Sequence, residues 1–92
     1  MTLEQTEFLR KTQDLYLHQK QPVVVINTSL APCFVPHDLV QNNILNINIH
    51  PRVVSGFRLE NRSIKFKAFF DSKSYALEIP LLAIEDVIEG EV

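Results

Sequence analysis

The stretch ILNINIHPRVVSGFRLENRSIKFKAFFDSKSYALEI, from Ile44 to Ile79, decides the fold. Leu45, Ile47 and Ile49 alternate with Asn46, Asn48 and His50. After Pro51 the alternation resumes through Phe57 and Leu59, returns through Ile64, Phe66, Ala68 and Phe70, and runs back through Tyr75, Leu77 and Ile79. A period of two means strands with one buried and one wet face. Pro51 breaks the ladder, so 45–50 and 53–59 are expected as separate strands. Two-residue hairpin loops centred on Asn61-Arg62 and Ser72-Lys73 set the register. They place Phe57, Phe66 and Ile79 in one inner row, and Gly56, Lys67 and Glu78 in an outer row where lysine and glutamate can pair. The next outer row is Val54, Phe69 and Ala76, apolar where a wet face is expected. With Gly56 it makes a shallow trough rimmed by Arg52, Lys65 and Lys67. Such a patch marks a surface on which another molecule sits, or one that the N-terminal helix or last strand covers.

Outside this stretch, residues 2–20 predict a helix. Thr2 and Gln5 form a capping-box pattern, and Leu3, Phe8, Leu15, Tyr16 and Leu17, with Thr12 between them, fall near one side. That stripe packs on the sheet or against a second copy. Pro22 is expected to end the helix, because the residue before a proline resists the α conformation. Val23 to Thr28 is a β-branched run suited to a buried strand. Pro32 and Pro36 restrict Ser29–Pro36 to a loop or a short edge piece. A single helical turn is expected at His37–Val40, a tight turn at Gln41–Asn43, another short turn at Leu81–Ala83, and a final strand from Ile84 to Ile88. The expected architecture is mainly β with one N-terminal α-helix (α+β): a single domain of 92 residues, helix about 3–20 and β-core about 22–90.

A formal charge of −2 argues against a general nucleic-acid binder. One cysteine, Cys33, precludes an internal disulfide and fits a reducing compartment. No apolar run reaches the length of a membrane span, and the polar, acidic N-terminus is unlike a signal peptide. The cytoplasm is the expected location. His18, His37 and His50 are scattered, and nothing makes Cys33, His37 and Asp38 converge as metal ligands. Glu85 and Asp86 are adjacent and face opposite ways on a strand. No catalytic residue, metal or cofactor is expected: the domain binds something rather than transforming it.

Leu45–Arg52, followed by Val53–Asn61, resembles the core of the SspB (stringent starvation protein B) family. So do Ile64–Phe70 and Ile79–Ala83, while Pro22–Asn27 resembles the family's first strand and Val35-Pro36 its loop. The resemblance spans about residues 8 to 84. It implies a small barrel or sandwich with topology near that of Sm-like domains, behind an N-terminal helix. It also implies an adaptor that binds ssrA degradation tags in a groove and delivers tagged proteins to ClpX of the ClpXP protease. A homodimer through the helix is implied as well, giving Phe8, Thr12, Leu15 and Tyr16 an interface role. The implied groove involves Arg52, Val53, Val54, Ser55, Gly56 and Phe57, then Lys67, Ala68 and Phe69, with Ala76 of the trough beside them. Arg52 or Lys67 would attract acidic residues of the tag; Val54, Phe57 and Phe69 would take its apolar ones.

Two departures bear on this. Phe69 stands where the family typically has arginine, and Ser55-Gly56 where it has Gly-Asn, so the preferred tag sequence is expected to differ. The family's long acidic tail and ClpX-binding motif are not within these 92 residues. Either they lie beyond Val92 or delivery by the usual route is closed. The alternatives are a Sm-like RNA-binding or assembly module, using Arg58, Arg62, Lys65 and Lys67, and a structural subunit whose trough a partner covers.

Overall fold

The structure, a computed structural model, describes residues 5–90. Helix α1 spans Gln5–Leu17; the expected cap at Thr2 and the stripe residue Leu3 lie outside the described residues. Phe8 is fully buried, contributing about 2–3 kcal/mol of burial free energy. The helix does not end at Pro22. Gln19 adopts φ +58°, its N–H donates to Tyr16 O (3.1 Å), and Lys20 N–H donates to Leu15 O (2.8 Å). This is a Schellman-type cap with glutamine at the left-handed position. Pro22 is instead the second residue of strand β1, Gln21–Asn27, and its carbonyl accepts Ile49 N–H at 2.9 Å.

Strands β2 (Ile44–Asn48), β3 (Val54–Glu60), β4 (Ser63–Phe70), β5 (Lys73–Pro80) and β6 (Ile84–Gly90) follow. They form two three-stranded antiparallel sheets, β2-β1-β6 and β3-β4-β5. The fold is therefore α+β, mainly strand, with one helix ahead of the sheets. Pro51 marks the crossover between sheets, as its missing N–H requires. The inner faces meet in one core: Val24, Ile26, Leu45 and Ile47 from one sheet face Ile64, Phe66, Leu77 and Ile79 from the other. Leu81 and Ala83 of the short turn Leu81–Ala83 close it. The single helical turn at His37–Leu39 is also present. Phe34 pairs with Glu78 through both backbone hydrogen bonds (2.9 and 3.2 Å), which makes the proline-bounded loop a short edge piece on β5.

Three two-residue turns carry positive φ at both central residues: Asn42-Asn43, Asn61-Arg62 and Asp71-Ser72. This is the twist that antiparallel hairpins favour. The second hairpin therefore turns at Asp71-Ser72, not Ser72-Lys73, because aspartate tolerates the left-handed region better than serine does at the first position. Moving the turn by one shifts the register by two, which preserves faces but changes partners. Phe66 lies opposite Leu77, Lys67 opposite Ala76, and Lys65 opposite Glu78. Lys65, not Lys67, reaches the Glu78 carboxylate, at 3.8 Å.

A second correction comes from β3. Ser55 pairs with Lys67 and Arg58 with Lys65, so Gly56 and Phe57 together oppose the single residue Phe66. Gly56 has φ +64°; a left-handed glycine opening a two-against-one step is a G1-type bulge. The extra residue flips Val54 inward, beside Ala68 rather than Phe69. Val54 and Ala68 are buried (5% and 3% exposed), while Phe69 is 72% exposed. The expected outer row Val54–Phe69–Ala76 does not exist.

Candidate binding cleft

Helix α1 packs on β1 and β6. The Lys11 ammonium donates to the Asp86 carboxylate at 2.7 Å, and Lys20 lies 3.6 Å from Glu89. The Lys11 hydrogen bond is the main cause that holds the Asp86 carboxyl below its ordinary value. Asp86 therefore faces the helix. Glu85, the extra residue where the β1–β6 register slips, accepts a hydrogen bond from the Asn27 side chain.

Anchored on that side, the helix leaves an open cleft of about 690 Å³ between itself, the Ile49–Pro51 segment and the start of β3. Thr12, Gln13, Tyr16 and Leu17 form one wall; Val54, Ser55, Gly56 and Phe57 form the other, with Pro22 and Ile49 at the floor. Among the described residues, no charged side chain lines it. Phe57 lies against Phe66 (ring centroids 6.0 Å apart), so the wall is braced by the core. The second wall belongs to β3, an edge strand of its sheet, whose outer backbone groups the ladder does not use.

Ser55 and Gly56 also border a second hollow, of about 590 Å³, on the outer face of β3-β4-β5. Arg58, Lys65, Lys67, Ala76 and Phe34 line it. Arg58 and Lys65 are held by Glu60 (3.6 and 3.9 Å), and Lys65 by Glu78 as well. Phe34 is 72% exposed here. This hollow is what remains of the expected trough.

The expected site residues thus divide. Val54, Ser55, Gly56 and Phe57 share the apolar cleft; Ser55, Gly56, Lys67 and Ala76 share the outer hollow. Arg52 stands at a smaller hollow with Tyr16 and His50, and Val53 is exposed. Ala68 is buried and takes no part. Of the residues assigned to a dimer seam, Phe8 is wholly inside its own chain and is not free to meet a second copy, while Leu15 is half-buried against the same core. Thr12 and Tyr16 line the cleft instead. Sequence reasoning missed this cleft because its helix wall looked like core stripe. It missed Phe34 because two prolines concealed a residue that joins the edge of β5.

Cys33 and His37 border a separate hollow with Thr28 and Val40. The Cys33 thiol points to Ala31 O (3.3 Å), and burial pushes its pKa up, which favours the unreactive protonated form. Among the described residues no group of three or more His, Cys, Asp and Glu side chains is placed to hold a metal, and no helix is long and apolar enough to cross a membrane. No family model matches the chain.

Proposed function

We propose that this domain captures an extended chain end, as SspB-type adaptors do, binding ssrA-type degradation tags and presenting the tagged protein to ClpX of the ClpXP protease. The observation that carries this is the uncharged cleft between α1 and the edge strand β3, about 690 Å³ in volume. That is the size and chemistry of a site for a few apolar side chains. It falls on the segment Pro51–Phe57 to which the resemblance points. Arg52 and Lys67 stand outside it, where acidic residues of a tag would meet them, and the backbone of β3 offers strand-type hydrogen bonds. The cytoplasm is the setting this role implies. A homodimer through α1 belongs to the same proposal, but it would use the outward side of the helix, where Leu9 is exposed, and not Phe8.

Fluorescence anisotropy with a labelled ssrA-type peptide tests the reading. Leu17→Glu is the informative variant, because Leu17 is 76% exposed and its replacement leaves the fold intact. Saturable binding that Leu17→Glu weakens at least about tenfold, by placing a charge in an apolar seat, supports the proposal. No affinity at high micromolar peptide rejects it. Val54→Asp is unsuitable, since it would place a charge in the core. The Sm-like RNA-binding alternative would use Arg58, Arg62, Lys65 and Lys67. Glu60 and Glu78 offset Arg58 and Lys65, which leaves Arg62 and Lys67, a small surplus with which to displace counterions. Filter binding of single-stranded RNA across a salt series separates the two.

A further inference from the structure

The turn from β2 to β3 supplies one wall of the cleft through Pro51 and Val54, and it is organised on one residue, His50. The His50 carbonyl accepts the N–H groups of Val53 (2.8 Å) and Val54 (3.1 Å). Its own N–H donates to Asn48 Oδ1 (2.8 Å). Its imidazole Nδ1 accepts the Arg52 backbone N–H at 3.1 Å. The same ring lies against Tyr16, with centroids 5.4 Å apart, and Tyr16 forms part of the opposite wall of the cleft. One side chain therefore ties the turn to the helix across the mouth of the site.

We propose that His50 is a titratable latch that positions the turn wall of the cleft, so that peptide capture weakens as His50 takes up a proton. The chemistry is local. Nδ1 accepts the Arg52 N–H only when that nitrogen carries no hydrogen, which fixes the neutral ring with its proton on Nε2. Protonation places a hydrogen on Nδ1, and two donors then face each other. The Tyr16 face, with centroids 5.4 Å apart, offers a protonated ring a weak cation–π attraction but no acceptor to replace the lost hydrogen bond. Its hollow is lined by Tyr16 of α1, Gln19 of the helix cap, Gln21 of β1 and Arg52 of the turn itself. Among the described residues, the only one lining it with a formal charge is a cation, and no carboxylate does. The Arg52 bond is thus lost when the ring takes up a proton, and the turn is left with the two bonds to the His50 carbonyl. One hydrogen bond is worth roughly a threefold to tenfold change in the population of the closed turn.

The consequence for binding rests on the peptide-capture reading; the latch itself does not, and the experiment separates them. In ¹H–¹⁵N spectra of the free protein, the Arg52 amide resonance should move upfield between pH 8 and 5, tracking the His50 ring signals. In His50→Asn, whose Oδ1 offers an acceptor that does not titrate, the Arg52 amide should stay still. With labelled ssrA-type peptide, wild-type affinity should fall roughly threefold to tenfold over the same range, and the His50→Asn affinity should be flat. An Arg52 amide that ignores His50 titration overturns the latch. So does binding whose pH dependence is unchanged in His50→Asn. Failure of the peptide to bind at any pH rejects the peptide-capture reading and the binding half of this proposal, while the amide titration still decides the latch.

Discussion

Replacing Gly56 by alanine isolates the β3 bulge as a purely torsional feature. A Cβ built at Gly56 meets nothing within 4 Å, yet φ is +64°. A side chain in the left-handed region costs about 1–2 kcal/mol. Alanine's smaller unfolded-state freedom offsets about 0.4–1 kcal/mol of that. The net destabilisation of Gly56→Ala is therefore about 1 kcal/mol. A domain this small has a urea m-value of about 1 kcal/mol/M, so the unfolding midpoint followed by circular dichroism falls by roughly 1 M. Gly56→Asn should cost less than half as much, since asparagine tolerates this region, and Gly56→Val more than alanine because it is β-branched. Gly90 is the contrasting case. Its Cβ would lie 2.5 Å from Val23 Cγ2, with no positive φ. Gly90→Ala is therefore a steric defect that Val23→Ala relieves, whereas no neighbouring truncation relieves Gly56→Ala. An unchanged midpoint for Gly56→Ala, or an asparagine variant as unstable as the alanine one, would refute the bulge geometry and with it the inward turn of Val54.

Lys11→Met should cost at most about 0.5 kcal/mol at pH 7, because both partners keep contact with solvent (32% and 45% exposed), which screens the pair. Asp86 is depressed below its unfolded value, chiefly by the Lys11 hydrogen bond. That contribution is present above the unfolded value and disappears as pH falls through the native one, so wild-type and variant melting curves should converge in acid. Ser72→Gly should stabilise the protein by roughly 0.5–1 kcal/mol, since Ser72 holds φ +66° at the second turn position, where glycine is the favoured residue; thermal melts decide this. Phe8→Ala should cost roughly 3–5 kcal/mol, because Phe8 is wholly buried, and a variant that melts like wild type would show that the helix is not docked. Phe69→Ala should leave stability within about 0.5 kcal/mol, and it should weaken peptide binding only if the bound chain extends past Ser55-Gly56 onto the outer face.

The strands were legible because period-two alternation reports burial directly, and Asn61-Arg62 was legible as a turn. What failed were single-residue matters. The Asp71-Ser72 turn differs from Ser72-Lys73 by the φ tolerance of one side chain, which alternation does not encode. The Gly56 bulge leaves the surrounding apolar pattern intact, yet it moves Val54 from surface to core. The helix stripe was visible, but not its division: Phe8 enters the core and Leu15 packs half-buried against it, while Thr12, Tyr16 and Leu17 line a cleft that exists only once α1 docks on β1 and β6. Ser55, Gly56 and Phe57, singled out in the sequence, do line a cleft, but that cleft opens beside the helix rather than on the outer face of the sheet, because tertiary placement of the helix is not written in the β3 pattern itself.

The most direct measurement is residue-by-residue mapping of amide shifts as unlabelled ssrA-type peptide is titrated into ¹⁵N-labelled protein. Binding in the cleft predicts saturable shifts at Thr12–Leu17 and Arg52–Phe57, on both walls at once. Shifts confined to Arg58, Lys65 and Lys67 on the outer face, or none at high micromolar peptide, would contradict it.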